Sequence, residues 1–410
     1  MITRSALAAL LLTATGVPAV AIPGPAAAIG GAAGSAPVSC AGAADFDGDG
    51  VDDVAVGDPF ADGETGSVQV LSGDKIVPVT VPGRATGDAF GWSVRLAKVD
   101  GDACADLVIG APYADVDGEE DAGAVYVVFG GKAAPPQRLT APRPQRSAHF
   151  GWSLAAKGDL VAVGAPYEDE SGLLDAGALY VRKGDGELRR ISQETSDVRG
   201  NAEVGDQFGW SMAFGAGNEL LIGVPYENAD GAGRQIEAGR INSGSVVFVD
   251  DVLAPEITSF KLDSPTDASG DRYGYAVAYA EGSGYAVGSP GPGSVQLLDT
   301  ARKPMRTVDQ PGRQAFGLSM AASADGRLAI GAPYGGGVRI VSWKDASEDR
   351  RLADAGGLFG WSVAFSGNKL FVGRPDAAPY GKVAVAGRNA EILQPFGPAR
   401  GADFGTSLSG

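Results

Sequence analysis

Histidine is nearly absent from this chain, and cysteine is scarce. The 410 residues include one histidine, His149, and two cysteines, Cys40 and Cys104. A single imidazole excludes a multi-histidine metal centre and more than one histidine-based catalytic triad. Basic residues are also in deficit, with 33 Lys and Arg against 50 Asp and Glu. Because proteins bind nucleic acids through Lys and Arg at the phosphates, this balance argues against a nucleic-acid partner.

Long apolar runs are missing as well. No segment approaches the roughly 18 consecutive apolar residues of a membrane-spanning helix, so we expect no membrane span. Near the start, Arg4 precedes a short apolar run over residues 6–12 that continues weakly to Ala21. This pattern predicts a secretory signal peptide over residues 1–28, cleaved after Ala21 or Ala28, and therefore a secreted protein.

Glycine, in contrast, is abundant, with 63 residues, about twice its average share. The Ala-, Gly- and Pro-rich residues 29–39 indicate a flexible lead-in, and one repetitive domain covers residues 40–410. Three short motifs recur there in step, seven times each. An aromatic-Gly pair begins at Phe90, Phe150, Phe208, Tyr273, Phe316, Phe359 and Phe404; Gly-x-Pro begins at Gly57, Gly110, Gly164, Gly223, Gly288, Gly331 and Gly373; Gly-x-Val or Gly-x-Leu begins at Gly66, Gly123, Gly177, Gly244, Gly293, Gly336 and Gly381.

The stretches between these motifs have the composition of β-strands. Residues 160–164 and 370–373 are short, apolar and bounded by glycine, and residues 125–129 are β-branched and aromatic. No segment shows sustained helical periodicity with caps. A repeat of this length with three or four strands matches one blade of a β-propeller.

The motif order also resembles a known repeat. Phe-Gly, then Gly-Ala-Pro, then Gly-x-Val-Tyr-Val, as at Gly123 to Val127, is similar to the FG-GAP repeat of integrin α chains and of many bacterial secreted proteins. The resemblance covers residue 40 to the end. It implies an all-β fold, a seven-bladed β-propeller of FG-GAP repeats, acting as an extracellular binding or adhesion scaffold.

The chain starts and ends inside a repeat. Gly57 has no aromatic-Gly pair before it, and Phe404 has no Gly-x-Pro after it. We therefore predict that the C-terminal segment, residues 404–410, pairs into the first blade and closes the ring. The alternative is that residues 38–44 form that inner strand and the tail is redundant.

One aspartate-rich loop has the spacing of a metal site. Its carboxylates stand at loop positions 1, 3, 5 and 9, with a backbone carbonyl at position 7: Asp45, Asp47, Asp49 and Asp53, with Val51. Oxygen ligands at this spacing favour Ca²⁺, and FG-GAP repeats carry their calcium at this place. The alternative is an Asp-rich turn held by bonds from side chains to the backbone.

A second loop repeats part of this pattern. Asp100, Asp102 and Asp106 occupy the later positions, while Lys98 replaces the first ligand and Cys104 takes the carbonyl position. A lysine there would pair with the carboxylates and make metal unnecessary, so we expect this to be the weaker site.

The loops after Gly-x-Pro are longest and most acidic in the second to fourth repeats. Blade connections alternate between faces, so these loops should lie opposite the metal loop, with Tyr113, Tyr167 and Tyr226 at their base. Variable loops on a rigid scaffold often bind ligands, although a solvated surface is the alternative. The candidate residues are Asp115, Asp117, Glu119, Asp121, Glu168, Asp169, Asp175 and Glu227; Glu120, Glu170, Asp230 and Glu237 belong to the same loops.

The two cysteines allow one disulfide in an exported protein. The alternative to a bond between Cys40 and Cys104 is a pair of small buried side chains, because sequence alone does not bring the two residues together.

We therefore predict a secreted, monomeric, calcium-binding scaffold that is not catalytic and binds an extracellular protein or glycan. The competing hypothesis is a secreted hydrolase, similar to a glycosidase, esterase or phospholipase, that uses carboxylates of the acidic loops. His149 precedes Phe150, and varied residues stand at its equivalent positions, which indicates an ordinary loop residue. No catalytic residue is assigned.

Overall fold

The structure is a computed structural model. It describes residues 39–410 apart from 74, 230–238, 311, 313–314, 387–390, 396 and 398–400. The predicted signal peptide and nearly all of the predicted lead-in lie outside the described residues. Within the described ranges, no helix is both long and apolar enough to cross a bilayer.

Seven four-stranded antiparallel sheets make up the described chain. The inner strand of each sheet contacts the inner strands of the two neighbouring sheets, and these contacts continue around a closed ring. Each sheet is therefore one blade of a β-propeller. The prediction of an all-β, seven-bladed propeller is confirmed.

Each blade has four strands, which follow one another from the inner edge outwards. Blade 1 is β28 (Ser407–Ser409), β1 (Val54–Asp58), β2 (Ser67–Ser72) and β3 (Lys75–Val79); blade 2 is β4 (Ser93–Ala97), β5 (Asp106–Ala111), β6 (Ala124–Val128) and β7 (Gln137–Leu139); blade 3 is β8 (Ser153–Lys157), β9 (Leu160–Ala165), β10 (Ala178–Lys183) and β11 (Arg189–Ile191); blade 4 is β12 (Ser211–Phe214), β13 (Leu220–Val224), β14 (Ser245–Val249) and β15 (Ser259–Asp263).

The remaining three blades follow the same order. Blade 5 is β16 (Val277–Ala280), β17 (Gly284–Ser289), β18 (Ser294–Leu298) and β19 (Pro304–Asp309); blade 6 is β20 (Met320–Ala322), β21 (Arg327–Ala332), β22 (Gly337–Ser342) and β23 (Arg350–Leu352); blade 7 is β24 (Val363–Ser366), β25 (Lys369–Arg374), β26 (Lys382–Val385) and β27 (Glu391–Leu393). Two single turns of helix, Ala61–Glu64 and the 3₁₀ turn Ala346–Glu348, complete the described elements.

The propeller has two distinct faces. We call the upper face the one where the second and third strands of each blade are joined and where the chain passes to the next blade. The lower face carries the other hairpins. The loop before β1, which contains the predicted metal site, lies on the lower face, and the acidic loops lie on the upper face. The two sets of loops are thus on opposite faces, as expected from the sequence.

The repeated motifs fit blades against one another. Phe90 is fully buried in one core cluster with Val68 and Val70 of blade 1. A Cβ atom on Gly57 would lie 2.1 Å from the carbonyl oxygen of Gly91 in the next blade, so only glycine fits there. Gly91 has a φ of 94°, in the left-handed region that favours glycine. The glycines of the two motifs therefore allow a close approach between backbones.

A serine at the start of the inner strand links most blades to the next. Its hydroxyl donates a hydrogen bond of 2.7–2.8 Å to the carbonyl oxygen of the next Phe-Gly glycine. Ala276 stands at this position in blade 5. The bonds are Ser93 to Gly151, Ser153 to Gly209, Ser211 to Gly274, Ser319 to Gly360, Ser362 to Gly405 and Ser407 to Gly91.

The C-terminal segment closes the ring. Strand β28 pairs antiparallel with β1 through Ser409 opposite Ala55, Leu408 opposite Val56 and Ser407 opposite Gly57. The closure prediction is confirmed, and the alternative is wrong because residues 39–44 form no strand.

The carboxyl groups of Asp58 and Asp403 lie near each other where the last connection of the chain contacts blade 1. The backbone N–H of Asp403 donates to Asp58 Oδ1 at 2.9 Å, which holds the last connection against the first blade. Burial raises the pKa of Asp58 to about 7, and the charge of Asp403 adds to the effect. Burial also raises the pKa of Asp403 to about 6, with a contribution from Asp376. The ionised forms of these groups therefore oppose closure.

Deleting residues 404–410 should lower the melting temperature by roughly 10 °C. The deletion exposes the edge of β1 and removes the buried Phe404 and Leu408, each worth about 2–5 kcal/mol. Thermal unfolding followed by circular dichroism measures the change. Deleting Gly410 alone, which follows β28, is the control and should have little effect. An unchanged melt for the longer deletion would contradict closure by this strand.

Asp58→Asn should stabilise the protein at pH 8 and not at pH 4. A carboxyl group with a raised pKa holds its proton longer in the folded state, so stability falls as pH rises from about 4 to about 7. The amide removes this penalty, which is up to about 4 kcal/mol at 1.36 kcal/mol per pKa unit. Urea unfolding at the two pH values measures it. The exposed Asp62→Asn is the control, and equal effects of Asp58→Asn at both pH values would refute the prediction.

Candidate functional site

The first aspartate loop, Asp45 to Asp53, gathers carboxylates on the lower face. Carboxylate oxygens of Asp45, Asp47 and Asp49 lie within 4.8 Å of one another. Asp45 is buried and accepts hydrogen bonds from the backbone N–H groups of Gly48 at 2.8 Å and Gly50 at 3.0 Å. These bonds wrap the backbone around Asp45, which brings the next two aspartates to the same point.

Asp53 is the last carboxylate of this loop and is not one of the three whose oxygens lie within 4.8 Å of one another. Its Oδ2 accepts from the backbone N–H of Phe46 at 2.8 Å, while its buried Oδ1 has no hydrogen-bond partner among the described residues. Burial raises the pKa of Asp53 to about 6, with the charge of Asp47 adding to the effect. A buried carboxylate oxygen without a donor is what a hard cation would satisfy.

The alternative to a metal site was an Asp-rich turn held by hydrogen bonds between side chains and the backbone. Such hydrogen bonds are also present in this loop. Asp47 Oδ1 accepts from the N–H of Asp49 at 3.1 Å, and Asp49 Oδ1 accepts from the N–H of Val51 at 2.8 Å. Each uses one oxygen of its carboxylate. The second oxygens both face Ser72, whose hydroxyl lies 2.7 Å from Asp47 Oδ2 and 3.3 Å from Asp49 Oδ2. The turn therefore leaves oxygens that a cation can use.

The second aspartate loop, Lys98 to Asp106, is neutralised by a different lysine from the one we expected. Lys132, from the hairpin between β6 and β7, contacts Asp100 and lies 3.0 Å from Asp102 Oδ2. Asp106 is fully buried and accepts from the N–H groups of Asp100 and Gly130, each at 3.1 Å. The expectation that Lys98 pairs with these carboxylates is corrected, because the structure gives that contact to Lys132.

A disulfide joins the segment before the first loop to the second loop. Cys40 and Cys104 are bonded, with their Cα atoms 4.9 Å apart. Beside it, the N–H of Ala105 donates to the carbonyl of Asp45 at 2.8 Å. The segment before the first loop is thereby fixed to blade 2, across the boundary between two blades.

An arc of aromatic rings on the upper face was not expected from the sequence. In four repeats the Phe-Gly pair is followed by Trp and Ser. Three of these Trp rings contact one another where successive inner strands begin, with centroids 4.7 Å apart for Trp92 and Trp152 and 5.0 Å for Trp152 and Trp210. Tyr275 extends the arc, 5.3 Å from Trp210. The recurrence of Trp at one offset in neighbouring repeats was the available signal.

The tyrosines after Gly-x-Pro form a second row around the same arc. Tyr113 stacks edge-on against Trp92 at 5.7 Å, Tyr167 against Trp152 at 5.2 Å, and Tyr226 against Trp210 at 5.3 Å. Of these rings, only that of Trp210 is buried; the other five are half-buried and so remain partly open to a ligand. Together with Tyr275, they are called the aromatic arc below.

His149 is part of this arrangement rather than an isolated loop residue. Its ring lies 4.6 Å from that of Tyr113 and 5.0 Å from that of Tyr167, and its Nδ1 lies 3.0 Å from the carbonyl oxygen of Pro112. The imidazole therefore lies between two tyrosine rings of neighbouring blades and contacts both.

The acidic candidates separate into exposed and buried groups. Asp115, Asp117, Glu119 and Asp169 are exposed, and Asp121 and Asp175 are half-buried. The backbone N–H of Asp121 donates to Asp115 Oδ1, and that of Asp175 to Asp169 Oδ1, each at 3.0 Å, so the two loops share one shape. Asp230 and Glu237 lie outside the described residues.

Two of the candidates do not lie on the surface. Glu168 is 2% exposed and pairs with Arg190 at 2.6 Å, and Glu227 is 6% exposed and pairs with Lys261 at 2.8 Å. Their assignment to the binding face was wrong, because half-buried cationic side chains of their own blades pair with them below the surface. The exposed carboxylates that remain surround the aromatic arc on one side.

A small cavity lies among these loops. It has a volume of about 210 Å³ and is lined by Asp88, Tyr113, Asp115, Asp121 and Arg138 among others. Burial raises the pKa of Asp88, although its carboxylate also accepts from the N–H of Ala85 at 2.7 Å and so caps a turn.

Comparisons with known proteins agree with this architecture. Residues 41–71 and 90–128 match the model of the FG-GAP repeat, and residues 136–182 match a second model of the FG-GAP repeat. These matches support an FG-GAP, integrin α-like family for this chain. The integrin α-like resemblance of its motifs is confirmed.

Integrin α chains are among the relatives of this FG-GAP propeller. Integrin alpha-PS2 of Drosophila melanogaster is 33% identical over 190 residues, which cover 42% of this chain and 13% of that protein. Integrin alpha-7 of Rattus norvegicus is 32% identical over 179 residues, 38% of this chain and 15% of that protein. The chain thus matches only a small part of the length of these relatives.

Solved structures with the same architecture are distant in sequence. A virginiamycin B lyase from Staphylococcus aureus superposes with a TM-score of 0.51 at 10% identity, covering 76% of this chain and 85% of the lyase. A streptogramin B lyase gives 0.50 at 9% identity, covering 74% and 83%. At this identity the likeness concerns the fold alone.

Proposed function

We propose that this FG-GAP propeller is a secreted, non-catalytic and monomeric binding scaffold. It holds a calcium ion in the first aspartate loop and binds an extracellular protein or glycan on its upper face. The integrin α relatives and the disulfide support an extracellular role.

The aromatic arc is the observation that carries this proposal. Half-buried Trp and Tyr rings offer large contact areas with little loss of side-chain entropy, which makes them frequent hot spots in interfaces. Burial raises the pKa of the Tyr167 and Tyr275 hydroxyls, so the arc stays uncharged. A row of such rings around the opening of the propeller is an unfavourable arrangement for a surface that binds nothing.

The charge around the arc favours one class of ligand. The exposed Asp115, Asp117, Glu119 and Asp169 lie in loops beside it. Indole and phenol faces attract ammonium and guanidinium groups, and the carboxylates favour the same cations. We therefore place a protein ligand with exposed Lys or Arg ahead of a glycan, whose rings would use the aromatic faces alone.

Calcium fits the donor set of the first aspartate loop. Asp45, Asp47, Asp49 and Asp53 would hold it, with the carbonyl of Val51, and the unpartnered Asp53 Oδ1 supports this assignment. The ion would offset two of the four negative charges of these carboxylates and fix the loop against blade 2.

Calcium should bind the wild-type protein with one equivalent in the first loop and a dissociation constant on the order of 10⁻⁴ to 10⁻³ M. At a hundredfold excess over the dissociation constant, the ion should stabilise the fold by about 2.7 kcal/mol, and a chelator should reverse this. Equilibrium dialysis and thermal melts measure the two effects.

Aspartate variants of the first loop test which carboxylates hold the ion. Asp47→Asn with Asp49→Asn should abolish binding in this loop. Asp52→Asn is the control and should retain it, because Asp52 Oδ1 accepts from the N–H of Ala44 and an amide oxygen can do the same. A wild-type protein that binds no calcium and melts identically with chelator would overturn this part of the proposal.

Trp152→Ala should weaken ligand binding by roughly 30-fold or more. Trp152 contacts Trp92, Trp210 and Tyr167, so its loss opens the centre of the arc, and a hot-spot residue is worth about 2 kcal/mol or more. The wild-type protein is first screened against a panel of purified extracellular proteins and a glycan array, with and without calcium. Affinities of the variants for the best binder are then compared.

The matched control is Phe260→Ala, which removes an exposed aromatic ring from the outer strand β15, away from the arc. It should leave affinity unchanged. Reversing the charges of Asp117 and Glu119 should slow association and remove its salt dependence if the ligand is cationic. Binding that survives Trp152→Ala and the charge reversal, in folded protein, would place the ligand elsewhere.

A further inference from the structure

The second aspartate loop has the backbone shape of the first. Both loops form the same successive turns: Asp102 N–H donates to Asp100 Oδ1 at 3.0 Å and Cys104 N–H to Asp102 Oδ1 at 2.9 Å, as Asp49 does to Asp47 and Val51 to Asp49. The last aspartate is buried in both loops. The second loop therefore keeps the form of a cation-binding loop although its first ligand is Lys98.

The two loops differ in what lies against their carboxylates. In the first loop, the neutral hydroxyl of Ser72 contacts Asp47 and Asp49. In the second loop, the ammonium of Lys132 contacts the equivalent Asp100 and Asp102. Ser72 ends the third strand of blade 1, and Lys132 lies in the hairpin that follows the third strand of blade 2. One loop is left with negative charge, and the other is supplied with a positive charge by its own chain.

We propose that the Lys132 ammonium is a tethered cation that occupies the second aspartate loop in place of a divalent metal and keeps metal out of it. A divalent ion would have to displace a positive charge that the hairpin holds in place at high effective concentration. The ion pair also raises the pKa of Lys132, through its bonds to Asp100 and Asp102, so the lysine stays charged. Calcium would then bind only in the first aspartate loop. This statement rests on the proposed function, which places a calcium ion there.

Other side chains brace the lower face in the same manner. Lys157 donates to the carbonyls of Gly215 and Gly217 in the next blade, at 2.6 and 3.1 Å. Arg306 of blade 5 pairs with Asp349 of blade 6 at 2.9 Å. Lysine and arginine thus hold the lower face at several boundaries between and within blades. The first loop differs because the contact to its carboxylates comes from a hydroxyl.

The proposal predicts that removing two lysines creates a metal site. Lys98→Asp restores the first ligand, and Lys132→Met removes the ammonium while keeping most of the side chain. The double variant should bind one more equivalent of Ca²⁺ than the wild type in equilibrium dialysis. Its melting temperature should fall without calcium and recover when calcium is added.

Two single variants separate the roles. Lys98→Asp alone should gain no equivalent, because Lys132 still occupies the loop. Lys132→Met alone should melt several degrees lower without calcium, since it leaves Asp100 and Asp102 facing each other unpaired. Lys183→Met, which removes an exposed pair with Asp159 on the same face, is the control for loss of a lysine.

The test compares the number of calcium equivalents bound by the double variant with the number bound by the wild type. The result therefore does not depend on whether the first loop binds calcium. If the wild type binds no calcium, the proposed function fails in that part, while a gain from zero to one in the double variant still supports the tethered cation. A folded double variant, judged by circular dichroism, that gains no equivalent would overturn the inference. So would a Lys98→Asp single variant that gains the same equivalent with Lys132 present.

Discussion

The hydrogen bond from an inner-strand serine to the Phe-Gly carbonyl of the next blade is the contact on which the rest of the ring depends. It needs the glycine backbone at that point, as in Gly91, and that backbone in turn needs the small Gly57 opposite it. The aromatic-Gly and Gly-x-Pro motifs, which look separate in the sequence, therefore form one interlocking contact with the serine. The last bond, from Ser407 to Gly91, joins the end of the chain to its beginning. Blade 5, with Ala276, has a methyl group in place of the hydroxyl at this position.

Because these contacts fix the blades, the two faces can carry different chemistry without disturbing the fold. The upper face concentrates aromatic rings over blades 2 to 5 and exposed carboxylates over blades 2 and 3. The lower face brings cationic side chains against carbonyls and carboxylates, as Lys157 and Lys132 do, and also carries the loop of the proposed calcium site. The proposed binding surface and the cationic contacts between blades thus lie on opposite faces of the propeller.

The repeat count, the fold and the closing strand could be predicted from the sequence, because each depends on short motifs in register. The aromatic arc was missed, because the pattern showed Trp92 and Trp152 at equivalent positions but not that these positions converge at the axis. Burial of Glu168 and Glu227 was missed because their partners lie 22 and 34 residues away in outer strands. Lys132 was missed for the same reason: local spacing pointed to Lys98, whereas a distant hairpin supplies the charge.

Both ends of the described chain emerge on the lower face. Ser39 lies beside the first aspartate loop, and Gly410 lies against Phe365 and Ser366, where the inner strand of blade 7 ends. A tether or fusion attached through Gly410 would therefore leave the aromatic arc pointing away from the support. Orientation on a surface is in this way built into the path of the chain, and a C-terminal tag becomes the natural choice for immobilising this protein.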